Sequence, residues 1–158
     1  MKKQNFLSKL KRKDVIELVD PSKNITNSYL EKSKKSLKSA KVLIENKLYE
    51  DSISKTYYSV YHSLLALLFR VGIKCENHTA SIIIFKELFD KEIGNKIKQI
   101  KKERIRTDYY TDIKITKKTS KDLYKNAENI TIKLRNIINN LNQTKIKKLR
   151  NKLKNLLK

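Results

Sequence analysis

The sequence predicts an all-α fold, specifically an antiparallel bundle of four to five helices. Only two glycines and one proline occur in 158 residues, which is too little turn chemistry for a sandwich or barrel of many short strands. Apolar residues instead recur every three or four positions through several long segments, and this spacing marks one face of an α-helix. A chain of this length is expected to fold as one domain with a substantial core.

The segment from Asp51 to Gly72 is predicted to be the central helix, because its apolar stripe is wider than one partner helix could cover. Asp51 or Ser52 is placed to cap the first turn, and Gly72 is placed to end the helix. The stripe consists of Ile53, Tyr57, Val60, Tyr61, Leu64, Leu67 and Leu68. Four polar-tipped rings on this helix either belong to a plain core or face a groove. They are Tyr57, Tyr58, Tyr61 and His62.

The chain before the central helix is predicted to pack against it. Residues 1–21 are expected to form a basic arm or a short helix. Pro21 suits the first turn of a helix that begins near Ser22, and Asn46 is placed to end that helix. Because the link from Asn46 to the central helix is short, the two helices are expected to be antiparallel neighbours.

The chain after Gly72 is predicted to form a loop and then another helix. The loop is the segment IKCENHTAS, in which Asn77 or Thr79 is placed as an N-cap, and the helix covers Ile82 to Phe89. Its run of β-branched residues would also suit a strand. A lone strand would have no pairing partner here, so the helix is preferred.

A further apolar stripe passes through Ile97 and Ile100 and continues, by steps of four residues, to Arg104 and Asp108. A core-facing line that ends in a basic and an acidic residue either reaches solvent or delivers both groups to a pocket or interface. An ordinary ion pair within the helix is the simpler interpretation of Arg104 and Asp108.

The last helix of the bundle is predicted to follow a polar loop over residues 111–119. Its cap is expected at Thr119 or Ser120, and it closes a domain that spans residues 22–141. Residues 142–158 contain basic residues, an apolar line and no acidic residue, and are expected to form a basic amphipathic tail. Such a tail suits nucleic acid, a membrane surface or a partner helix, and a fraying, solvated extension is the alternative.

The chain is strongly basic, with 38 lysines and arginines against 16 acidic residues and a formal net charge of +22. This charge attracts nucleic acid or an anionic surface, although a compositional bias of the source genome would give similar totals. Six of the basic residues are arginine, which leaves 32 lysines. Lysine suits phosphate binding more than base readout, so the charge predicts affinity without sequence specificity.

A cytoplasmic protein without a metal or cofactor is expected. Cys75 is the single cysteine, which excludes an intramolecular disulfide and fits a reducing compartment. The N-terminal segment lacks the apolar run of a signal peptide, and no segment has the length of a membrane span. The sequence shows no Gly-rich phosphate loop, zinc cluster or Ser-His-Asp arrangement.

Five segments carry a more specific pattern between about residues 24 and 138. They are SYLEKSKKSLKSAKVLIENKLYEDS, YYSVYHSLLALLFRVGI, NHTASIIIFKELF, ERIRTDYY and KTSKDLYKNAENI. Their order and spacing resemble the HEPN family, in particular its small stand-alone prokaryotic proteins. The resemblance implies a helical bundle that commonly forms a homodimer. It also implies a relationship to metal-independent ribonucleases that act as toxins and are paired with a minimal nucleotidyltransferase antitoxin.

Nuclease members of this family carry an arginine, then four to six residues, then a histidine. Arg104 matches the arginine, and Tyr109 stands where the histidine would be. In the family account the arginine stabilises charge on the phosphate, and the histidine handles the proton of the RNA 2′-hydroxyl. A tyrosine side chain normally has a pKa near 10 and is a poor base at neutral pH. His62 and His78 are the other candidates, with a structural role for His62 and a local capping role for His78 as the alternatives.

The leading functional hypothesis is a HEPN protein that binds RNA or a nucleotide, as one component of a toxin–antitoxin-like pair with a nucleotidyltransferase. The expected binding residues are Arg104, Arg106, Asp108, Tyr109, Tyr57, Tyr58 and Tyr61. The first alternative is an active ribonuclease in which Arg104 holds the phosphate and Tyr109 or His62 moves the proton. The second is a non-catalytic interaction module that holds the nucleotidyltransferase. The resemblance further implies that this partner modifies Tyr109 or Tyr110.

Overall fold

The computed structural model describes residues 2–158 and confirms the predicted helical bundle. Within this range there are seven α-helices rather than four or five, and two short strands form one sheet. In chain order the elements are α1 (Lys2–Lys11), β1 (Ile16–Leu18), α2 (Lys23–Glu45), α3 (Tyr49–Val71), β2 (Ile73–Cys75), α4 (His78–Leu88), α5 (Lys91–Tyr109), α6 (Lys117–Asn139) and α7 (Gln143–Leu156). In this part of the chain, no helix combines the length and the apolar character needed to cross a lipid bilayer.

Helix α3 is the centre of the core, as predicted. Fourteen of its 23 residues are buried, because α2, α4, α5, α6 and α7 all contact it. The helix begins earlier than expected, after Leu48, which offers no capping side chain. The predicted caps Asp51 and Ser52 are therefore wrong, since both lie inside the first turn. Gly72 ends the helix as predicted, with a φ of 78° that favours glycine.

Helices α2 and α3 form the predicted antiparallel hairpin, and buried hydroxyl groups join them. Both predicted ends of α2 are confirmed. Thr26 Oγ1 donates to the carbonyl oxygen of Ala66 at 3.0 Å, and Ser33 Oγ donates to that of Ser59 at 2.7 Å. Contacts that advance along α2 thus move backwards along α3. Each of these buried hydroxyls has the hydrogen-bond partner that burial requires.

A two-stranded antiparallel sheet, which the sequence did not predict, joins the N-terminal segment to the bundle. Residues 2–21 comprise α1 and β1, and the predicted loop after Gly72 begins with β2. Ile16 pairs with Cys75, and Leu18 pairs with Ile73. Each strand has only three residues, which is too few to show an alternating pattern. The sheet exists because two segments that are distant in sequence pair with each other.

Two further helix starts test the predicted caps. Asn77 Oδ1 accepts a hydrogen bond from the backbone nitrogen of Ala80 at 2.9 Å, which confirms Asn77 as the cap of α4. Helix α6 starts directly after Thr116, because Thr116 Oγ1 accepts from the backbone nitrogen of Thr119 at 3.1 Å. The predicted caps Thr119 and Ser120 are wrong, since both lie in the first turn that Thr116 caps.

The predicted tail forms helix α7 (Gln143–Leu156), which packs on the bundle, in contrast to the alternative of a solvated extension. Asn142 Oδ1 accepts from the backbone nitrogen of Lys145 at 2.9 Å and caps α7. Ile146, Leu153 and Leu157 are buried in the main hydrophobic core. Their line of apolar side chains therefore serves the fold, and the basic face of α7 points to solvent.

Arg150 on α7 links three distant parts of the chain by hydrogen bonds. Its Nη1 donates to the carbonyl oxygens of Val19 at 2.7 Å, Gly72 at 2.8 Å and Val71 at 3.0 Å. A side chain at Gly72 would collide with Arg150 Nη1 and with the Val19 carbonyl, so close approach adds to the positive φ in requiring glycine there. One charged group thus supplies a donor to the end of α3 and to the chain that follows β1.

Replacing Arg150 with methionine should lower the free energy of unfolding by about 2–4 kcal/mol, because three carbonyl oxygens lose a charged donor. Urea denaturation followed by circular dichroism measures this loss. Lys148→Met is the matched control, since Lys148 is exposed on the same helix, and it should change stability by less than about 0.5 kcal/mol. Equal stability of the two variants would contradict the role of Arg150.

Candidate functional site

Three helices bring one arginine, one aspartate, two histidines and three tyrosines together in one place. Helix α3 supplies the tyrosines and one histidine within a turn and a half, α4 supplies its first residue, and α5 supplies two residues one turn apart. These residues are called the Arg104 cluster below. They are Tyr57, Tyr58, Tyr61, His62, His78, Arg104 and Asp108.

The guanidinium group of Arg104 lies over two tyrosine rings. Its Cζ is 5.6 Å from the ring centroid of Tyr57 and 5.3 Å from that of Tyr58, distances at which cation–π attraction operates. Its Nε lies 2.9 Å from Oδ2 of Asp108, and the two groups form an ion pair. Their relative orientation does not allow a hydrogen bond between them. Ser54 Oγ donates to Oδ1 of the same carboxylate at 3.3 Å. The Arg104 side chain is 25% exposed, so it is oriented by the protein and still open to a ligand.

His78 is held by two tyrosines of α3. Its Nδ1 is 2.8 Å from Oη of Tyr57, and its ring stacks on Tyr61 with the centroids 3.8 Å apart. Burial, and after it the charges of Lys101 and Arg104, lowers the pKa of His78, so the ring is neutral at pH 7. When Nδ1 carries the hydrogen and donates it to Tyr57 Oη, Nε2 is left with a lone pair that can accept a proton.

His62 lies beside the same rings in a different environment. Its ring centroid is 5.8 Å from that of Tyr58 and 6.0 Å from that of Tyr29. Its Nδ1 is buried and has no hydrogen-bond partner among the residues that the structure describes. Burial, followed by the charges of Lys32 and Lys55, lowers the pKa of His62. This histidine is therefore also neutral at pH 7, and the protein leaves one of its polar atoms unsatisfied.

The two inner tyrosines are kept protonated. Burial is the main cause that raises the pKa of Tyr57 above its usual range, and burial raises the pKa of Tyr61 to about 12. Tyr57 is fully buried and Tyr61 nearly so, whereas Tyr58 is only partly buried. Tyr57 and Tyr61 therefore position other groups and do not act as bases at neutral pH.

The structure places two of the predicted site residues outside this cluster. Tyr109 is 77% exposed and follows Arg104 by five positions, which is roughly 140° around the helix. Arg106 pairs with Glu103 at 3.3 Å and lines a groove of about 680 Å³ between α4 and α5. That groove also contains Thr79, Ile82, Lys101, Lys102, Ile105 and Tyr110. It adjoins the cluster but is distinct from it.

Helical spacing on α5 places Arg104 beside Asp108, whereas nothing local in the sequence indicates that His78 contacts Tyr57. These two residues are 21 positions apart, with the end of α3 and strand β2 between them. The sequence offers one indication that His78 belongs to a site. His78 directly follows Asn77, the cap of α4, and the first turn of a helix lies at the end of a bundle, where binding sites often form.

The family model of the HEPN domain matches residues 26–137, which is most of the chain. The chain belongs to the HEPN family. The resemblance predicted from the five sequence segments is thereby confirmed, and the whole Arg104 cluster lies within the matched HEPN region. Helices α1 and α7 and strand β1 lie outside that region.

Three relatives of this HEPN protein carry names that differ in content. A Methanocaldococcus jannaschii protein called "Putative toxin" is 32% identical over 105 residues, covering 63% of this chain and 78% of that protein. A UPF0332 protein of Thermotoga maritima is 21% identical over 129 residues, covering 78% of this chain and 98% of that protein. A UPF0332 protein of Pyrococcus horikoshii is 45% identical over 49 residues, covering 31% and 34% respectively.

Both histidines of this HEPN protein should titrate below the ordinary histidine pKa of about 6.5, because the folded state disfavours their charged forms. Their contribution to stability is therefore complete above that pH and is lost as the pH falls through the folded-state pKa. The NMR signals of the ring protons, followed against pH, give the two midpoints, and His62→Asn assigns them. A midpoint at or above 6.5 for either ring would contradict its buried environment.

Proposed function

We propose that this HEPN protein binds RNA at the Arg104 cluster and acts as a toxin-type protein. The observation that carries the proposal is the state of Arg104, which two tyrosine rings and Asp108 orient while a quarter of its side chain stays exposed. A guanidinium held in this way presents planar donors to a phosphate group with little further loss of side-chain freedom.

The charges around the cluster support a phosphate-containing ligand. Lys101 is close enough to lower the pKa of His78, and Lys32 and Lys55 are close enough to lower that of His62. The whole chain carries a formal net charge of +22, which attracts a polyanion over long range at low salt. The partly exposed ring of Tyr58 adds a surface on which a base can stack.

The toxin part of the proposal is supported by the Methanocaldococcus jannaschii relative. That protein is named as a toxin candidate, and this chain is 32% identical to it over 78% of its length. A shared type of function follows from that similarity together with membership of the HEPN family. The RNA target and any antitoxin of this chain are part of the proposal.

A second candidate function is RNA cleavage at the same cluster. In that reaction the RNA 2′-oxygen loses its proton to a base and attacks the adjacent phosphorus, while the bond from phosphorus to the 5′-oxygen breaks and that oxygen takes up a proton. Arg104 would stabilise the charge on the phosphate, and His78, which is neutral at pH 7, would accept the first proton. His62 is the other acceptor within the cluster, whereas Tyr109 lies outside it.

Mixed single-stranded RNA incubated with the purified protein in EDTA should be retained, and Arg104→Ala should weaken this retention roughly tenfold or more. The reason is the loss of the oriented phosphate donor. Filter binding measures the affinity, and gel analysis of the same RNA measures cleavage. Cleavage that disappears with Arg104→Ala would support the second candidate function.

Arg106→Ala is the matched control, because it removes the same charge from a different face of the same helix. Its RNA affinity should stay close to that of the unmodified protein. Equal losses in the two variants would mean that only the total charge matters and that the Arg104 cluster is not the site. Absence of any retention by the unmodified protein would contradict RNA binding altogether.

A minimal nucleotidyltransferase is proposed as the partner, and the two tyrosines at the end of α5 are the proposed contact. Tyr109 and Tyr110 are 77% and 58% exposed, so their hydroxyl groups are accessible to the active site of another enzyme. Ile105 lies one helical turn before Tyr109 and lines the same groove as Tyr110. It is 39% exposed and adds apolar surface for a protein contact. The homodimer expected from the family stays a prediction.

Co-expression with a nucleotidyltransferase encoded next to its gene should add the mass of at least one nucleotide to Tyr109 or Tyr110, because these hydroxyls are the accessible nucleophiles. Intact-mass and peptide mass spectrometry detect the addition. Tyr109→Phe and Tyr110→Phe identify the modified position, since each removes one hydroxyl and keeps the ring. An unchanged mass in the unmodified protein argues against this partner.

A further inference from the structure

A second concentration of positive charge lies along α7, away from the Arg104 cluster. There α7, the start of α2 and the end of α3 enclose a groove of about 810 Å³, called the α7 groove below. Its basic residues are Lys23, Arg70, Lys147, Arg150 and Lys154. Arg70 follows His62, the nearest residue of the Arg104 cluster on α3, by 8 positions, which is roughly 12 Å along the helix axis. The two surfaces are therefore separate.

Among the residues that the structure describes, no carboxylate pairs with the basic side chains of the α7 groove. None of its lining residues is acidic, and within residues 3–158 none of its five basic side chains forms an ion pair. Arg150 is held by three carbonyl oxygens, which orient its guanidinium group and leave its charge in place. After Glu128 the sequence contains no aspartate or glutamate. This concentration of positive charge attracts an anionic ligand.

The rest of the lining indicates which polyanion fits. Asn142, Gln143 and Asn151 line the groove as well, and their amide groups can hydrogen-bond phosphate and sugar oxygens. No aromatic side chain lines it in the described part of the chain, so this part offers no platform on which bases stack. Apart from Pro21, the one apolar residue that the structure describes in its lining is Ile146, which is buried. The groove therefore lacks the exposed apolar side chains that anchor a helix in a membrane surface.

We propose that the α7 groove is a second RNA-binding surface, which holds the phosphate backbone without reading the bases. Four of its five basic residues lie outside the matched HEPN region of residues 26–137, so the surface is supplied mainly by the segments that flank the HEPN domain. This inference rests on the proposed binding of RNA and adds to it: the Arg104 cluster binds one phosphate group, and the α7 groove supplies salt-dependent affinity for the neighbouring strand.

The triple variant Lys23→Gln/Lys147→Gln/Lys154→Gln tests the groove. Affinity for oligo(U) is measured at several NaCl concentrations, and the slope of log affinity against log salt should become shallower by about 2, since each lost contact to single-stranded RNA contributes about 0.7. Oligo(A) should give the same change, because the groove does not read bases. Arg150 is left in place because of its structural bonds, and the three lysines are exposed, so thermal unfolding should be unchanged.

The control variant is Lys9→Gln/Lys11→Gln/Lys13→Gln, which removes the same charge from exposed positions in and after α1. Its salt slope should stay close to that of the unmodified protein. Equal slopes in the two triple variants would overturn the groove proposal, and RNA retention that still depends on Arg104 would leave the proposed function standing. If the unmodified protein retains no RNA, both proposals fail together.

Vesicles containing phosphatidylserine test whether the α7 groove binds an anionic membrane surface instead of RNA. We expect no difference in vesicle flotation between the groove variant and its control. Vesicle binding that only the groove variant loses, with RNA affinity unchanged, would assign the α7 groove to lipid headgroups and overturn its assignment to RNA.

Discussion

The burial of α3 is the constraint on which the rest of the molecule depends. This helix carries apolar or small residues on nearly all sides, so it is stable in water only when other helices cover it. Helix α2 covers the side that carries Ser59 and Ser63, where the hydroxyl of Ser33 bonds to both residues. Helices α4, α5, α6 and α7 contact the other sides. Because these helices share one buried partner, loss of any of them exposes the core of all, and the bundle is expected to unfold as one cooperative unit.

The Arg104 cluster follows from the same burial, because aromatic rings with polar tips at the edge of a core need partners for those tips. The hydroxyl of Tyr57 forms a hydrogen bond with His78. Nδ1 of His62 has no hydrogen-bond partner among the residues that the structure describes. The part of the cluster on one helix, Arg104 with Asp108, could be predicted from helical spacing. The contact between α3 and α4 could not, because it depends on how the chain returns after β2.

The ends of the helices show where local rules decide the fold and where they do not. Gly72 and Asn77 were predictable because a left-handed glycine and an N-cap side chain act within a few residues of their position. The start of α3 was not, since Leu48, the residue before it, supplies no capping side chain. The sheet of β1 and β2 was not predictable either, because strands of three residues carry no pattern without their partner.

The bonds of Arg150 have a consequence for the order in which the protein folds. They join residues that are 131, 79 and 78 positions apart, and contacts of such high sequence separation form late because they close large loops. During synthesis α2 and α3 can pair as soon as both have been made. The chain around Gly72 and the end of β1 must wait for residue 150 before they receive their charged donor. Strand β1 and Val19 are thus synthesised well before residue 150, and Val19 receives its bond from Arg150 only after that residue has been made.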